Sequence, residues 1–223
     1  MASILHIFGD SFATNPEAYP QQDKTGLPIQ IHPNYAEDLG NRLGCSHINW
    51  GSLPGVSNDW IFNEIYENYK NISANDYAVI LFTQINRKWF FEAHQGNLSN
   101  YTMSYVKNYL KHLQNDRLDT IITLGYIIAT ISLLKDRCPS VILPAYPIPA
   151  NDIKGCLDEV SRNEILGSVE NWYHITGGFD PRLNHLSIFN HKVLSMKLYN
   201  YFKHNTPIDL TTEFHKNILK VNV

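Results

Sequence analysis

Cysteine is scarce in this sequence, and the three present, Cys45, Cys138 and Cys156, stand far apart without a CxxC pair. An odd, widely spaced set builds neither a disulfide framework nor a zinc knuckle, and it points to a reducing compartment. Blocks of basic residues are missing as well. With 18 Lys and Arg against 21 Asp and Glu, the formal net charge is −3, which gives no electrostatic reason to expect nucleic acid or an anionic membrane as partner. There is no HExxH and no tight His/Asp/Cys group at metal-ligand spacing, and neither GxGxxG nor GxxxxGK[ST] occurs. No metal is therefore expected, no glycine-rich nucleotide cradle, and no cofactor. The opening MASILHIFGDSF lacks the basic flank and long apolar core of an export signal. The longest apolar region, Ile121 to Leu134, is interrupted by Thr, Gly, Tyr and Ser and is too short to span a bilayer. The expectation is a cytoplasmic chain without a membrane partner.

What is present describes an ordinary globular protein: 43% hydrophobic, 12% aromatic and 17% charged residues over 223 positions. That length suits one α/β domain, read as residues 1–203, with a C-terminal extension over 204–223.

Short apolar runs alternate with helical spacings. Ile4 to Phe8, stopped by Gly9, predicts a buried strand. Residues 12–33, rich in Pro, Gln and Asn, predict a long loop beside its end. Asn34 caps a predicted helix with Tyr35, Leu39 and Leu43 on one side and Gly44 as its stop. A strand follows around His47 to Trp50, then a helix from about Asn58 to Tyr69. Tyr77 to Phe82 predicts a third strand, and residues 83–96 a second loop near the site. From Tyr101 to about Arg137 the spacing of Tyr105, Tyr109, Leu113, Leu118, Ile121, Ile128 and Ile131 predicts one or two helices, with a strand as the alternative for the Ile-rich part. Val141 to Ala145 predicts a strand, residues 158–168 a helix, Trp172 to Ile175 a short strand, and Ile188 to Phe202 a closing helix. The tail from His204 has no clear pattern. Strands alternating with helices predict a three-layer α/β/α sandwich around a mostly parallel central sheet. Ligands in such folds bind at the carboxyl ends of the strands.

Ser11, in Gly9-Asp10-Ser11-Phe12, directly follows the first strand. Turn chemistry alone also favours Gly, Asp and Ser. Near the other end stands Asp180-Pro-Arg-Leu-Asn-His185-Leu-Ser187, just before the closing helix. A serine and a histidine so placed, one at a strand end and one before the last helix, resemble the first and last blocks of the SGNH (GDSL-like) hydrolases. The resemblance implies a flavodoxin-like SGNH fold, Ser11 as nucleophile and His185 as base. Three residues before the histidine, where the family has Asp, this chain has Arg182. The orienting acid is then Asp180, or a carbonyl takes its place. Asn49-Trp-Gly51-Ser-Leu-Pro-Gly55-Val-Ser-Asn58 is similar to the second block, which implies an oxyanion-hole N–H from Gly55 in preference to Gly51. Phe82-Thr-Gln-Ile-Asn86-Arg87 stands where the third block belongs, with Asn86 as amide donor, or Gln84 or Thr83 in its stead. The implied oxyanion hole is Ser11, Gly55 and Asn86. Asp10, Arg87 and Trp89 are the expected substrate contacts, although the triplet Trp89-Phe90-Phe91 also suits a core and Arg87 a structural ion.

The resemblance implies an esterase or deacetylase that cleaves a small acyl ester, with an O-acetylated carbohydrate among the substrates in view. Two alternatives remain open: a binding module that keeps the fold with weak catalysis, and an acyltransferase using the same Ser and His.

Overall fold

The computed structural model describes residues 2–10, 12–13, 34–52, 56–85, 87, 115–148, 153–161, 164–166, 186, 188–215 and 218–220. The chain forms two compact units, residues 1–14 with 47–151, and residues 15–46 with 152–223.

In the first unit, strands β1 (Ile4–Phe8), β2 (Ser46–Trp50), β3 (Tyr77–Phe82) and β4 (Ser140–Pro144) form a sheet in the order β2-β1-β3-β4. All four run parallel. Leu5 to Phe8 pair with Tyr77 to Ile80, and Ala78 to Phe82 with Ser140 to Pro144. The apolar runs ILHIF and YAVILF suit this position because a parallel sheet buries both faces. Phe8, Ala78, Ile80 and Phe82 share one face and pack with Ile61 and Ile65 of helix α2 (Asn58–Asn68) and Ile127 and Leu134 of helix α3 (Asp116–Leu134). Leu5, Ile7, Val79 and Leu81 between them are fully buried too. The fold is thus α/β with an all-parallel sheet, as the alternation of strands and helices predicts.

Helix starts follow their caps. Ser57 Oγ accepts the Trp60 N–H at the head of α2, and Asn115 Oδ1 accepts the Leu118 N–H at the head of α3. A 3-10 turn, Tyr69–Asn71, closes α2. Residues 101–114, the first half of the predicted helical stretch, lie outside the described residues. Within α3 the outcome is helix, not strand. At 19 residues it exceeds the Ile121–Leu134 run and is long and apolar enough to cross a membrane by length and composition. This corrects the expectation from the run alone. The inner side of α3 nevertheless carries Asp119 and Thr123, both buried.

Beneath the sheet's core, Trp50 Nε1 donates to His6 Nδ1 at 2.8 Å. His6 Nε2 therefore carries the proton, and it meets Asp76 Oδ2 at 3.2 Å. The Asp76 carboxylate also accepts the Ile4 and Ser73 N–H groups and the Ser73 hydroxyl, at 2.8–2.9 Å. Burial pushes this carboxyl up, but those four donors outweigh it and hold it below the usual carboxylate range.

The second unit contains α1 (Tyr35–Leu43), α4 (Leu157–Ser161), β5 (Glu164–Leu166), α5 (Ile188–His204) and β6 (Ile218–Lys220). As predicted, Asn34 caps α1, accepting the Ala36 and Glu37 N–H groups, and Gly44 ends it in the left-handed conformation. Tyr35 stacks on His191 of α5 with ring centroids 6.1 Å apart, and Leu194 and Leu198 are buried. The predicted helix over 158–168 is corrected: it stops at Ser161, and Glu164–Leu166 form a strand paired in parallel with Ile218–Lys220. The tail is placed by the same pairing. Before it, Lys154 bridges to Asp209, Leu210 is buried, and Asn190 exchanges two hydrogen bonds with the His215 backbone. Residues 14–33 and the strand expected at Trp172 to Ile175 lie outside the described residues.

Candidate functional site

The strand order places β2 on one side of β1 and β3 on the other. The chain thus changes direction across the sheet between β1 and β3, and the crevice beyond their carboxyl ends is where such folds bind ligands. In this unit that place holds a buried polar cluster.

Gly9 and Asp10 follow β1. A Cβ at Gly9 would lie 2.8 Å from Ala13 Cβ and 2.9 Å from Leu81 Cβ, so only glycine lets the returning chain pack this closely on β3. The Ala13 N–H bonds back to the Asp10 carbonyl at 2.9 Å, and the Phe12 N–H to Asp10 Oδ1 at 3.0 Å. These two bonds draw Phe12 and Ala13 back onto Asp10, as an Asp that initiates a turn does.

The other oxygen of Asp10 faces β3. Thr83 Oγ1 donates to Asp10 Oδ2 at 2.7 Å, and Arg87 Nη1 reaches the same oxygen at 3.1 Å and Thr83 Oγ1 at 2.8 Å. Asp10 is fully buried and the Arg87 side chain is 12% exposed, so this is an ion pair largely withdrawn from water. The Arg87 guanidinium also lies over the Tyr146 ring, 5.5 Å from its centroid, and Phe12 meets that ring edge-on. A second set of bonds fixes the end of β3. Asn58 Oδ1 accepts the Thr83 N–H at 2.7 Å, while its amide donates to the Thr83 carbonyl and to Thr123 Oγ1 at 3.1 and 3.2 Å.

Two expected site residues, Asp10 and Arg87, are therefore brought together, and they face each other. The Arg87 Nη1 that a substrate carboxylate would seek already serves Asp10 and Thr83. Thr83, weighed as a substitute oxyanion donor, has both its donors committed, the hydroxyl to Asp10 and the N–H to Asn58. Gly51 needs glycine for its φ of +56°, and its carbonyl accepts Trp60 Nε1, so the turn accounts for it. Ser11, Gly55, Asn86, Trp89, Asp180 and His185 lie outside the described residues.

Asn58, Thr123 and Tyr146 are the members of this cluster that reading the sequence did not place there. Asn58 stood at a helix start, where Asn is ordinary; the others had no local signal. Among the described residues no group of His, Cys, Asp and Glu is arranged to hold a metal ion. Burial pushes the Cys138 thiol up to about 12 and that of Cys156 up to about 11, so neither is a thiolate nucleophile near neutral pH. No family model, no curated protein and no solved structure matches the chain.

Proposed function

We propose that the chain is a serine hydrolase of the SGNH kind, a three-layer α/β/α sandwich that cleaves a small acyl ester, in view of Ser11 and His185. The single observation that carries this reading is the Gly9–Ala13 turn. It follows β1 at the point where the strand order reverses, it requires glycine at position 9, and the Ala13 and Phe12 N–H groups return to the Asp10 carbonyl and carboxylate on the far side of position 11 in the chain. A nucleophile on a sharp turn at a strand end is the arrangement that exposes a serine to substrate in α/β hydrolases generally.

In this reading His185 takes the proton from Ser11 as the hydroxyl attacks the ester carbonyl, and Asp180 orients the imidazole. The Ser11 and Gly55 N–H groups and the Asn86 amide receive the developing oxyanion, each donor lowering the barrier by about 3 to 4 kcal/mol. The tetrahedral intermediate collapses with cleavage of the ester C–O bond, the departing alcohol takes the proton from His185, and the acyl group left on Ser11 is hydrolysed by water that the same, now neutral, histidine deprotonates. Asp10 and Arg87 act behind the nucleophile, stiffening the turn, and Trp89 borders the acyl or sugar moiety of an O-acetylated carbohydrate.

Labelling the purified full chain with a fluorophosphonate probe tests the assignment. The wild type is expected to label, Ser11→Ala to lose labelling entirely, and His185→Ala to label slower by several orders of magnitude. A wild type that does not label, or a Ser11→Ala variant that labels as before, removes the hydrolase reading. A panel of p-nitrophenyl esters and acetylated sugars then defines the acyl and alcohol groups accepted.

A further inference from the structure

Thr83 is the first residue past β3, and the head of α2 takes hold of its backbone. Asn58 Oδ1 accepts the Thr83 N–H at 2.7 Å, and Asn58 Nδ2 donates to the Thr83 carbonyl at 3.1 Å. The amide thus answers Thr83 as a neighbouring strand would, with one acceptor and one donor. Asn58 is itself fixed: it is buried, it follows the capping residue Ser57, and its Nδ2 also donates to Thr123 of α3 at 3.2 Å. Thr83 is therefore pinned on both sides of its α-carbon, and as a β-branched residue it keeps few rotamers.

The hydroxyl so placed has one proton and one direction in which to send it. Arg87 Nη1, 2.8 Å away, can only donate, so the Thr83 proton goes to Asp10 Oδ2 at 2.7 Å. A hydroxyl donating to a buried carboxylate makes a strong, directional bond. Arg87 reaches the same oxygen, but from the end of a long side chain with several torsions. The anchor with the least play is Thr83. Holding Oδ2 against β3 sets the plane of the Asp10 carboxylate, whose other oxygen accepts the Phe12 N–H at 3.0 Å. Restraint is thus passed from α2 through Asn58, Thr83 and Asp10 to Phe12, and the residue between the last two in the chain is Ser11.

We propose that Thr83, set by Asn58, is a positioning residue for the nucleophile: its hydroxyl orients Asp10 and thereby fixes the bend of the chain at Ser11. This rests on the hydrolase reading. With its hydroxyl committed to Asp10, Thr83 acts through the turn and not on the substrate.

Labelling kinetics of the full chain with the fluorophosphonate probe, read beside the urea midpoint of each variant, provide the test. Thr83→Val keeps the shape of the side chain and removes the hydroxyl. Its labelling rate at saturating probe, kinact, is expected to fall about 10- to 100-fold, the scale of loss that a misplaced reacting group causes, while the probe's KI stays near the wild-type value. Thr83→Ser returns the hydroxyl and should recover most of kinact. Asn34→Ala, a cap variant in the other unit, lowers stability and should leave kinact as it was. A Thr83→Val chain with wild-type kinact, a Thr83→Ser chain no faster than Thr83→Val, or an Asn34→Ala chain slowed as much as Thr83→Val overturns the proposal and leaves the hydrolase reading standing. A wild type that does not label, or labelling that survives Ser11→Ala, removes that reading and this proposal with it. If Thr83→Val does not fold, Thr83→Cys takes its place. Its thiol is a weak donor, so kinact should fall below that of Thr83→Ser, and equality of the two overturns the proposal.

Discussion

At Arg87 one Nη1 serves two partners at once, Asp10 and Thr83, while the flat guanidinium covers Tyr146. Removing one member of such a buried pair leaves the other charged and uncompensated, and that typically costs about 3 to 5 kcal/mol. Arg87→Ala is therefore expected to destabilise the chain by an amount near the lower end, because Thr83 and the Phe12 N–H still serve Asp10. Arg87→Lys should recover part of the loss, restoring the charge without the planar contact to Tyr146. Urea unfolding of the three proteins measures both, and equal stability of wild type and Arg87→Ala would contradict an internal role. Asp10 and Arg87 were each legible in the sequence as polar residues just past a strand. Their pairing was not, because it spans 77 positions and depends on β1 and β3 lying side by side.

Helices α1 and α2 show how similar local signals acquire different weight. Each begins near an Asn. Among the described residues the Asn34 side chain binds only the Ala36 and Glu37 N–H groups of its own first turn, so Asn34→Ala should cost about 1 kcal/mol. Asn58 reaches out of α2 to both backbone groups of Thr83 and to Thr123 of α3. Asn58→Ala leaves buried partners unsatisfied and should cost on the order of 3 kcal/mol. Chemical unfolding of the two variants side by side checks the ordering, and an Asn34→Ala loss equal to or above that of Asn58→Ala would refute it. The starts and stops of α1 were legible because caps are local chemistry. The β5–β6 pairing was not: nothing within Glu164–Leu166 announces a partner more than fifty residues away, and the flanking residues read as helix.

For the molecule as a whole, acid stability follows from a few carboxylates. Asp76, although burial pushes it up, is held low by Ser73, Ile4 and His6, and Asp38 likewise by Ser195 and Arg42. A carboxyl depressed in the folded state stabilises it above the ordinary carboxylate value, and that contribution disappears as pH falls through the folded value. Glu64 has the opposite sign. Its burial raises it, so its charge opposes folding near neutrality and the opposition is relieved on acidification. The Asp76→Asn variant is accordingly expected to be less stable than the wild type at neutral pH, with the gap narrowing as pH drops below the usual carboxylate range. Urea midpoints across a pH series measure that gap, and a gap of constant size would rule out the ionised Asp76 as its source.

The sequence by itself determined the class of fold and most element positions, because apolar runs, helical spacing and caps act within a few residues. It also marked Gly9 and Asp10 as special, since a glycine and an aspartate ending a buried strand leave few conformations open. Only the tertiary structure decided what Asp10 does, because its partners at Thr83 and Arg87 arrive from another strand. The same holds for α3. Its spacing announced a helix, yet which face turns inward depends on what packs beside it, and here Thr123 meets Asn58 and Ile127 joins the core, while Ile121, Ile128 and Ile131 face outward.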